Sequence, residues 1–276
     1  MSLVLIVLLI ILLGVVLYLL AIMPRMLHKP DKAPHMGVLY AHRGLHNNES
    51  EAPENTMAAF KKAVDAGYGI ELDVQLTKDK VPVVFHDFTL KRMCGVDGKV
   101  EDYTYEELQQ FPIAKSEETI PTFQEFLQFV DGKVPLIVEL KIEGTNLEVC
   151  PLADELLSGY KGVYCIESFN PLGVRWYRKN HPDIFRGQLA ESFLKEEEFH
   201  GMLYFILQNL LMNFLTKPDF VAFNHHHTRA LSRRICRSLY HNVAAAWTIK
   251  SQEELDQARK NYDIFIFDSF IPSTMS

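Results

Sequence analysis

The chain has no long basic block, no CxxC pair and no glycine-rich nucleotide loop, and each absence removes a class of function. Its 28 Lys and Arg face 35 Asp and Glu, a formal charge of −7, which disfavours a nucleic-acid surface. Neither GxGxxG nor GxxxxGK[ST] occurs at a strand-to-helix turn, so dinucleotide binding and P-loop chemistry are disfavoured too. The 4 cysteines, Cys94, Cys150, Cys165 and Cys236, are scattered without zinc-ligand spacing. They read as unpaired thiols of a reducing compartment. A small anionic ligand would then need local positive charge, from a metal or a few basic side chains.

A further absence marks one end. Met1 to Met23 contains no Asp, Glu, Lys, Arg or His and includes the apolar run Leu3 to Leu20, long enough as a helix to cross a hydrocarbon core of about 30 Å. A cleavable signal peptide would carry a basic start and a small-residue cleavage site. Neither is evident, so residues 1–24 read as an uncleaved membrane anchor, with residues 25–37 as a linker. Arg25, Lys29 and Lys32 follow the span and nothing basic precedes it, which places the C-terminal part in the cytoplasm by the positive-inside rule.

What remains, residues 38–276, is the size of one barrel domain. Strand-like runs occur at Val38–His42, Gly69–Gln75, Pro135–Lys141, Gly162–Ser168, Phe185–Ala190, Phe220–Asn224, Val243–Thr248 and Ile264–Asp268, with amphipathic stretches such as Glu54–Ala66 and Ser251–Asn261 between them. Alternating Val- and Ile-rich strands and helices predict a parallel sheet, and eight repeats predict a closed (β/α)8 TIM barrel. The run Val81–His86 follows the second strand too closely for a parallel crossover. It reads as the return arm of a hairpin that hangs His86 over the barrel mouth. Residues 88–132 form an insertion, with short helices at Thr104–Phe111 and Thr122–Val130.

Glu71 and Asp73 are two apart on a strand and share a face; Glu139 and Lys141 repeat that spacing on the next barrel strand. Either pair alone is as readily structural as functional, Glu139 and Lys141 as an ion pair and Glu71 and Asp73 as a solvated strand end. Carboxylates on apolar strands are costly unless paired or bound to a cation, and three of them make the hard-oxygen set that suits Mg²⁺ or Ca²⁺. His42 in YAHRG and His86 in VVFHD supply groups that titrate near neutrality, and Arg43 supplies a bidentate donor for phosphate oxygens.

The series HRG at 42–44, PENT at 53–56, ELD at 71–73, VVFHD at 83–87, VELK at 138–141, ESF at 167–169 and WT at 247–248 resembles the glycerophosphodiester phosphodiesterase family. The resemblance runs in order from about residue 38 to 268. It implies one Mg²⁺ or Ca²⁺ held by Glu71, Asp73 and Glu139, and His42 and His86 as the acid/base pair. It further implies Arg43 and Lys141 on the phosphate, and Trp247 as a wall of the substrate pocket, although on composition alone Trp247 is as readily a core aromatic. The implied reaction releases glycerol 3-phosphate and an alcohol through a cyclic phosphate. Lys250 stands where the family often has Asn.

Three features stay open at this level. Glu54 and Asn55 either orient the loop beside His42 or cap the following helix. His225, His226 and His227 tempt a zinc reading, but consecutive side chains diverge, which favours a structural role. The apolar stretch Phe199–Leu215 is either a buried helix or an interfacial one; the second would favour lysophospholipid over soluble glycerophosphodiester. A catalytically silent barrel that binds a phosphorylated ligand is the reading from another class.

Overall fold

The structure is a computed structural model that describes residues 2–192, 201–227 and 230–273. Its strands are β1 (Leu39–His42), β2 (Gly69–Leu76), β3 (Pro82–Val84), β4 (Leu136–Leu140), β5 (Tyr164–Ser168), β6 (Arg186–Ala190), β7 (Phe220–Asn224), β8 (Val243–Ile249) and β9 (Ile264–Phe267). The helices are α1 (Leu3–Ile22), α2 (Met57–Asp65), α3 (Lys91–Cys94), α4 (Tyr105–Leu108), α5 (Phe123–Val130) and α6 (Val149–Ser158). After them come α7 (Pro171–Asn180), α8 (Met202–Gln208), α9 (Asn213–Thr216), α10 (Leu231–Ser238) and α11 (Gln252–Ala258).

All strands except β3 pair in parallel, and β1 closes the ring by pairing with both β2 and β9. This is the expected TIM barrel, with its eight strands within two residues of their expected limits. Strand β3 runs antiparallel to β2 as the return arm of the hairpin. Inside the ring, Tyr40, Ile137, Leu189, Phe220 and Ile266 form the lower core. Outside it, Phe60, Phe126, Leu136, Val138 and Tyr177 pack strands against helices, with Phe60 and Phe126 edge to face at 4.5 Å.

Expected helices are shorter than the hydrophobic pattern suggests: α11 ends at Ala258, and α2 and α4 are shortened as well. Helix α2 begins at Met57 because Thr56 caps it, its hydroxyl accepting from the Ala59 N–H at 3.3 Å, while Asn55 takes a positive φ of 57°. Helix α4 stops at Leu108, as Pro112 disfavours helical backbone at Phe111. The insertion has a core of its own beneath β3, built from Val83, Phe85, Leu90, Met93, Val100 and Leu108.

The apolar stretch expected at Phe199–Leu215 begins outside the described residues, and the rest divides into α8 and α9 around Leu210, whose φ is 56°. Helix α8 buries none of its side chains; Met202 is 72% and Leu203 61% exposed. Helix α1 is likewise exposed over most of its length and is long and apolar enough to cross a membrane. Only its last turns dock. Tyr18 and Ile22 join Leu210, Val221, Phe223 and Cys236, and the Ile22 carbonyl accepts from Asn213 Nδ2 at 3.0 Å.

Gly187 of β6 lies opposite Phe220 of β7, and a Cβ there would sit 2.2 Å from the Phe220 ring. Gly187→Ala is therefore expected to destabilise the barrel by about 1–3 kcal/mol through overpacking, and Phe220→Leu in the same chain to recover part of that loss. Urea unfolding of the single and double variants checks both.

Candidate active site

Strand register assembles the site. His42 pairs with Glu71 across β1 and β2, and Asp73, Glu139 and Glu167 stand side by side on β2, β4 and β5. All four carboxylates are buried, and ligand oxygens of Glu71, Asp73 and Glu139 lie within 4.8 Å of one another. Burial, then repulsion from Asp73, Glu167 and Glu139, pushes the Glu71 carboxyl well above its ordinary range; burial raises Glu139 and Glu167 as well. Asp73 goes the other way. Burial opposes its ionisation, but His86, Lys141 and Arg43 hold it below the ordinary carboxylate value.

This cluster fits a divalent cation by its donors. The three side chains present hard oxygens to one point, and Asp73 Oδ1 has no hydrogen-bond partner among the described residues. Lys141 Nζ, 2.9 Å from Glu139 and 3.5 Å from Asp73, supplies one compensating charge for the group, fewer than the carboxylates it faces.

His42 is held from behind. Its Nδ1 is 3.2 Å from Asp268 Oδ2, whose other oxygen is 3.1 Å from His46 Nε2, while its Nε2 lies 3.9 Å from Glu71. Burial, helped by Arg43 and opposed by the Asp268 hydrogen bond, lowers the imidazole to about 4. The turn behind it needs Gly44, with φ of 84°, because a Cβ would come 2.9 Å from the Ala59 backbone. The Arg43 N–H donates to the Glu71 carbonyl at 2.8 Å, and its guanidinium contacts Glu54 at 2.7 Å and Asp73 at 3.4 Å.

His86 enters from the hairpin. Gln75 Nε2 donates to the carbonyls of Phe85 and Asp87 at 2.7 and 2.8 Å, which fixes the turn, and Asp87 Oδ1 lies 2.6 Å from His86 Nδ1. Arg92 of α3 then spans Asp87 and Glu54, at 2.6 Å to each. Burial disfavours the ionised Asp87, yet the hydrogen bonds from His86 and Arg92 keep its carboxyl below the ordinary range. The histidines, Arg43 and the carboxylates open into a small cavity of about 50 Å³ that Phe169 and Trp247 close on the far side, their rings edge to face at 5.5 Å.

Every expected site residue thus lies at or beside the C-terminal mouth, with Lys141 reaching the cluster through Glu139 and Asp73. Glu54 and Asn55 do not cap α2: Glu54 bridges two arginines, and Asn55 Nδ2 donates to Asp73 at 2.9 Å. His225 turns aside, its Nε2 3.1 Å from the Thr248 carbonyl. Sequence reasoning missed Asp268, Glu167, Asp87 and Arg92. Glu167 could have been found from its place opposite Glu139 and Asp268 from its place at the end of the last strand. Nothing local marks Arg92.

A model of the glycerophosphoryl diester phosphodiesterase family matches residues 42–266. The chain belongs to that family. It is 35% identical over 171 residues to a glycerophosphodiester phosphodiesterase of Caldanaerobacter subterraneus subsp. tengcongensis, a stretch that covers 58% of this chain and 69% of that one. Among solved structures, a glycerophosphodiester phosphodiesterase of Thermotoga maritima is similar at 26% identity and a TM-score of 0.65, over 84% of this chain and 95% of that one. A phosphodiesterase of Oleispira antarctica, solved with the product sn-glycerol-3-phosphate, shares the fold at 23% identity and a TM-score of 0.67, over 84% and 93% of the two chains. The match places this glycerophosphoryl diester phosphodiesterase domain within the barrel and leaves α1 outside it.

The lowered His42 imidazole is expected to stay neutral at pH 6, with its proton on Nδ1 facing Asp268. Nitrogen NMR of ¹⁵N-histidine protein, assigned with His42→Gln, should show a midpoint at about 4. A midpoint above 6 would contradict the burial argument.

Proposed function

We propose that the chain hydrolyses glycerophosphodiesters to glycerol 3-phosphate and a free alcohol. The observation that carries this reading is the placement of two histidines, each backed by a carboxylate, beside one buried carboxylate cluster at the barrel mouth. The activity in the names of the relatives supports the same reaction.

In this reading Glu71, Asp73 and Glu139 hold one divalent cation, Mg²⁺ or Ca²⁺. When bound, it supplies Lewis-acid stabilisation of charge on the phosphoryl oxygens. His42 Nε2, kept unprotonated by burial, accepts the proton of the glycerol hydroxyl as that oxygen attacks phosphorus. His86 donates a proton to the departing alkoxide, so one P–O bond forms as another breaks and a cyclic phosphate results. Water opens the ring with the histidine roles reversed. The adjacent hydroxyl attacks efficiently because it is already at high effective molarity. Arg43 and Lys141 offset phosphate charge, and Trp247 with Phe169 walls off the leaving group.

Residues 1–24 anchor the enzyme in the membrane, residues 25–37 link the anchor to the barrel of residues 38–276, and the barrel sits on the cytoplasmic side. A second reading draws on a larger cavity of about 740 Å³ that continues from His86 and Trp247 past Phe169 to Leu203, Leu207 and Met212. Such a groove suits the acyl chain of a lysophospholipid, with the same chemistry at phosphorus.

Glycerol 3-phosphate release from glycerophosphocholine should require Mg²⁺ or Ca²⁺ and stop with EDTA. His42→Ala and Glu71→Ala should each lower kcat by on the order of 10²–10⁴. Lysophosphatidylcholine measured alongside separates the two readings: a higher kcat/KM for it, reduced by Leu203→Asp, would favour the lipid substrate. Inactivity on both would overturn the enzymatic proposal.

A further inference from the structure

A third cavity, of about 480 Å³, shares no lining residue with the two at the barrel mouth and lies where the end of α1 meets the residues that lead into β6 and β7. Arg25, His28, Arg178, Arg186 and Lys217 line it, and among the described residues no acidic side chain does. The carboxylate in contact with this group is Asp219, which is buried behind it at 3.6 Å from Arg25 and 3.7 Å from Arg186.

The other partners of these cations are backbone carbonyls. Arg178 Nη1 donates to Phe214 and Leu215 at 3.1 and 2.7 Å, Lys217 Nζ to Met23 at 3.0 Å, Arg186 Nη2 to Lys217 at 2.9 Å and Arg25 Nη1 to Pro182 at 2.7 Å. Carbonyls satisfy donors without cancelling charge, so among the described residues the four cations meet one carboxylate, which touches two of them, in a chain whose formal charge is −7. The crowding has a cost: burial, with repulsion from Arg25 and Arg178, brings Arg186 down to about 10. The carbonyl bonds account for each cation singly, and an anion in the cavity would offset the repulsion among them.

The rim completes the pattern. Met26 and Leu27 are 43% and 75% exposed beside the cations, and the cavity begins at Met23, the residue that follows α1. A polar anion joined to apolar chains, held at the exit of a membrane-crossing helix, matches cations inside and apolar side chains outside.

We propose that this cavity binds the phosphate of an anionic phospholipid from the bilayer that α1 crosses. The proposal rests on the reading of residues 1–24 as a membrane anchor. Bound there, the lipid would tie Arg25, at the exit of α1, to Arg178 and Lys217 of the barrel wall, fixing how the barrel sits on the membrane.

The test uses the full chain in nanodiscs of mixed phosphatidylglycerol and phosphatidylcholine, with lipids retained after detergent release counted by native mass spectrometry. Wild type should retain phosphatidylglycerol in preference. Arg178→Gln with Lys217→Gln should lower that preference by on the order of ten-fold, Lys217→Gln alone by less, and Lys61→Gln, an exposed charge on α2, should leave it unchanged. Unaltered glycerophosphocholine hydrolysis certifies that the variants are folded; if the double variant fails this, the single one decides. No preference in wild type, or a preference indifferent to these substitutions, overturns the proposal, as does loss of the retained phosphatidylglycerol to an equal concentration of inorganic phosphate, which would make this a general phosphate site. Release of the chain by alkaline carbonate would overturn the anchor reading as well. Retention without lipid preference overturns the lipid site alone.

Discussion

The structure depends on the repulsion among buried carboxylates at one end of the barrel. Glu71, Asp73, Glu139 and Glu167 are brought together by strand register, and a closed barrel gives them nowhere to retreat. Left to themselves they would take up protons or push apart. Lys141 and Arg43 answer part of the charge, and a cation would answer the rest.

Around that constraint the neighbouring segments act as braces. Arg43 and Asn55 both reach Asp73, tying the turn after β1 and the approach to α2 to the cluster. Arg92 brings the insertion into the same network by clamping Glu54 and Asp87 together. The insertion therefore does more than cover the barrel: its helix α3 holds the carboxylate that orients His86. On the opposite side, Asp268 at the end of the last strand orients His42, so closure of the barrel between β1 and β9 also completes the site.

Strands and hairpin were legible in the sequence because apolar runs at regular spacing and a connection too short for a crossover are local signals. Glu71, Asp73 and Glu139 were legible for a similar reason, as charges on otherwise apolar strands stand out. The braces were not. Asp268 reaches His42 across 226 positions and Arg92 reaches Glu54 across 38, and neither spacing leaves a periodic trace. Pattern also overextended α2 over Glu54 and Asn55, whose side chains serve the site instead. The apolar stretch around α8 reads from its sequence as buried or interfacial, and its exposure beside the mouth follows from tertiary placement alone.

The stability of the cation-free protein tests this account most directly. A Glu71 carboxyl raised in the folded state keeps its proton there while the unfolded chain gives it up near its ordinary value. Stability is then greatest at or below that ordinary value and is lost as pH rises through the raised one. Unfolding of wild type and Glu71→Gln should be measured by urea at pH 8 with chelator. The amide, which carries no charge to repel Asp73, Glu139 and Glu167, should be the more stable by about 1–2 kcal/mol, and added Mg²⁺ or Ca²⁺ should stabilise wild type more than the variant. A Glu71→Gln protein less stable than wild type without metal, and equally indifferent to it, would contradict the account.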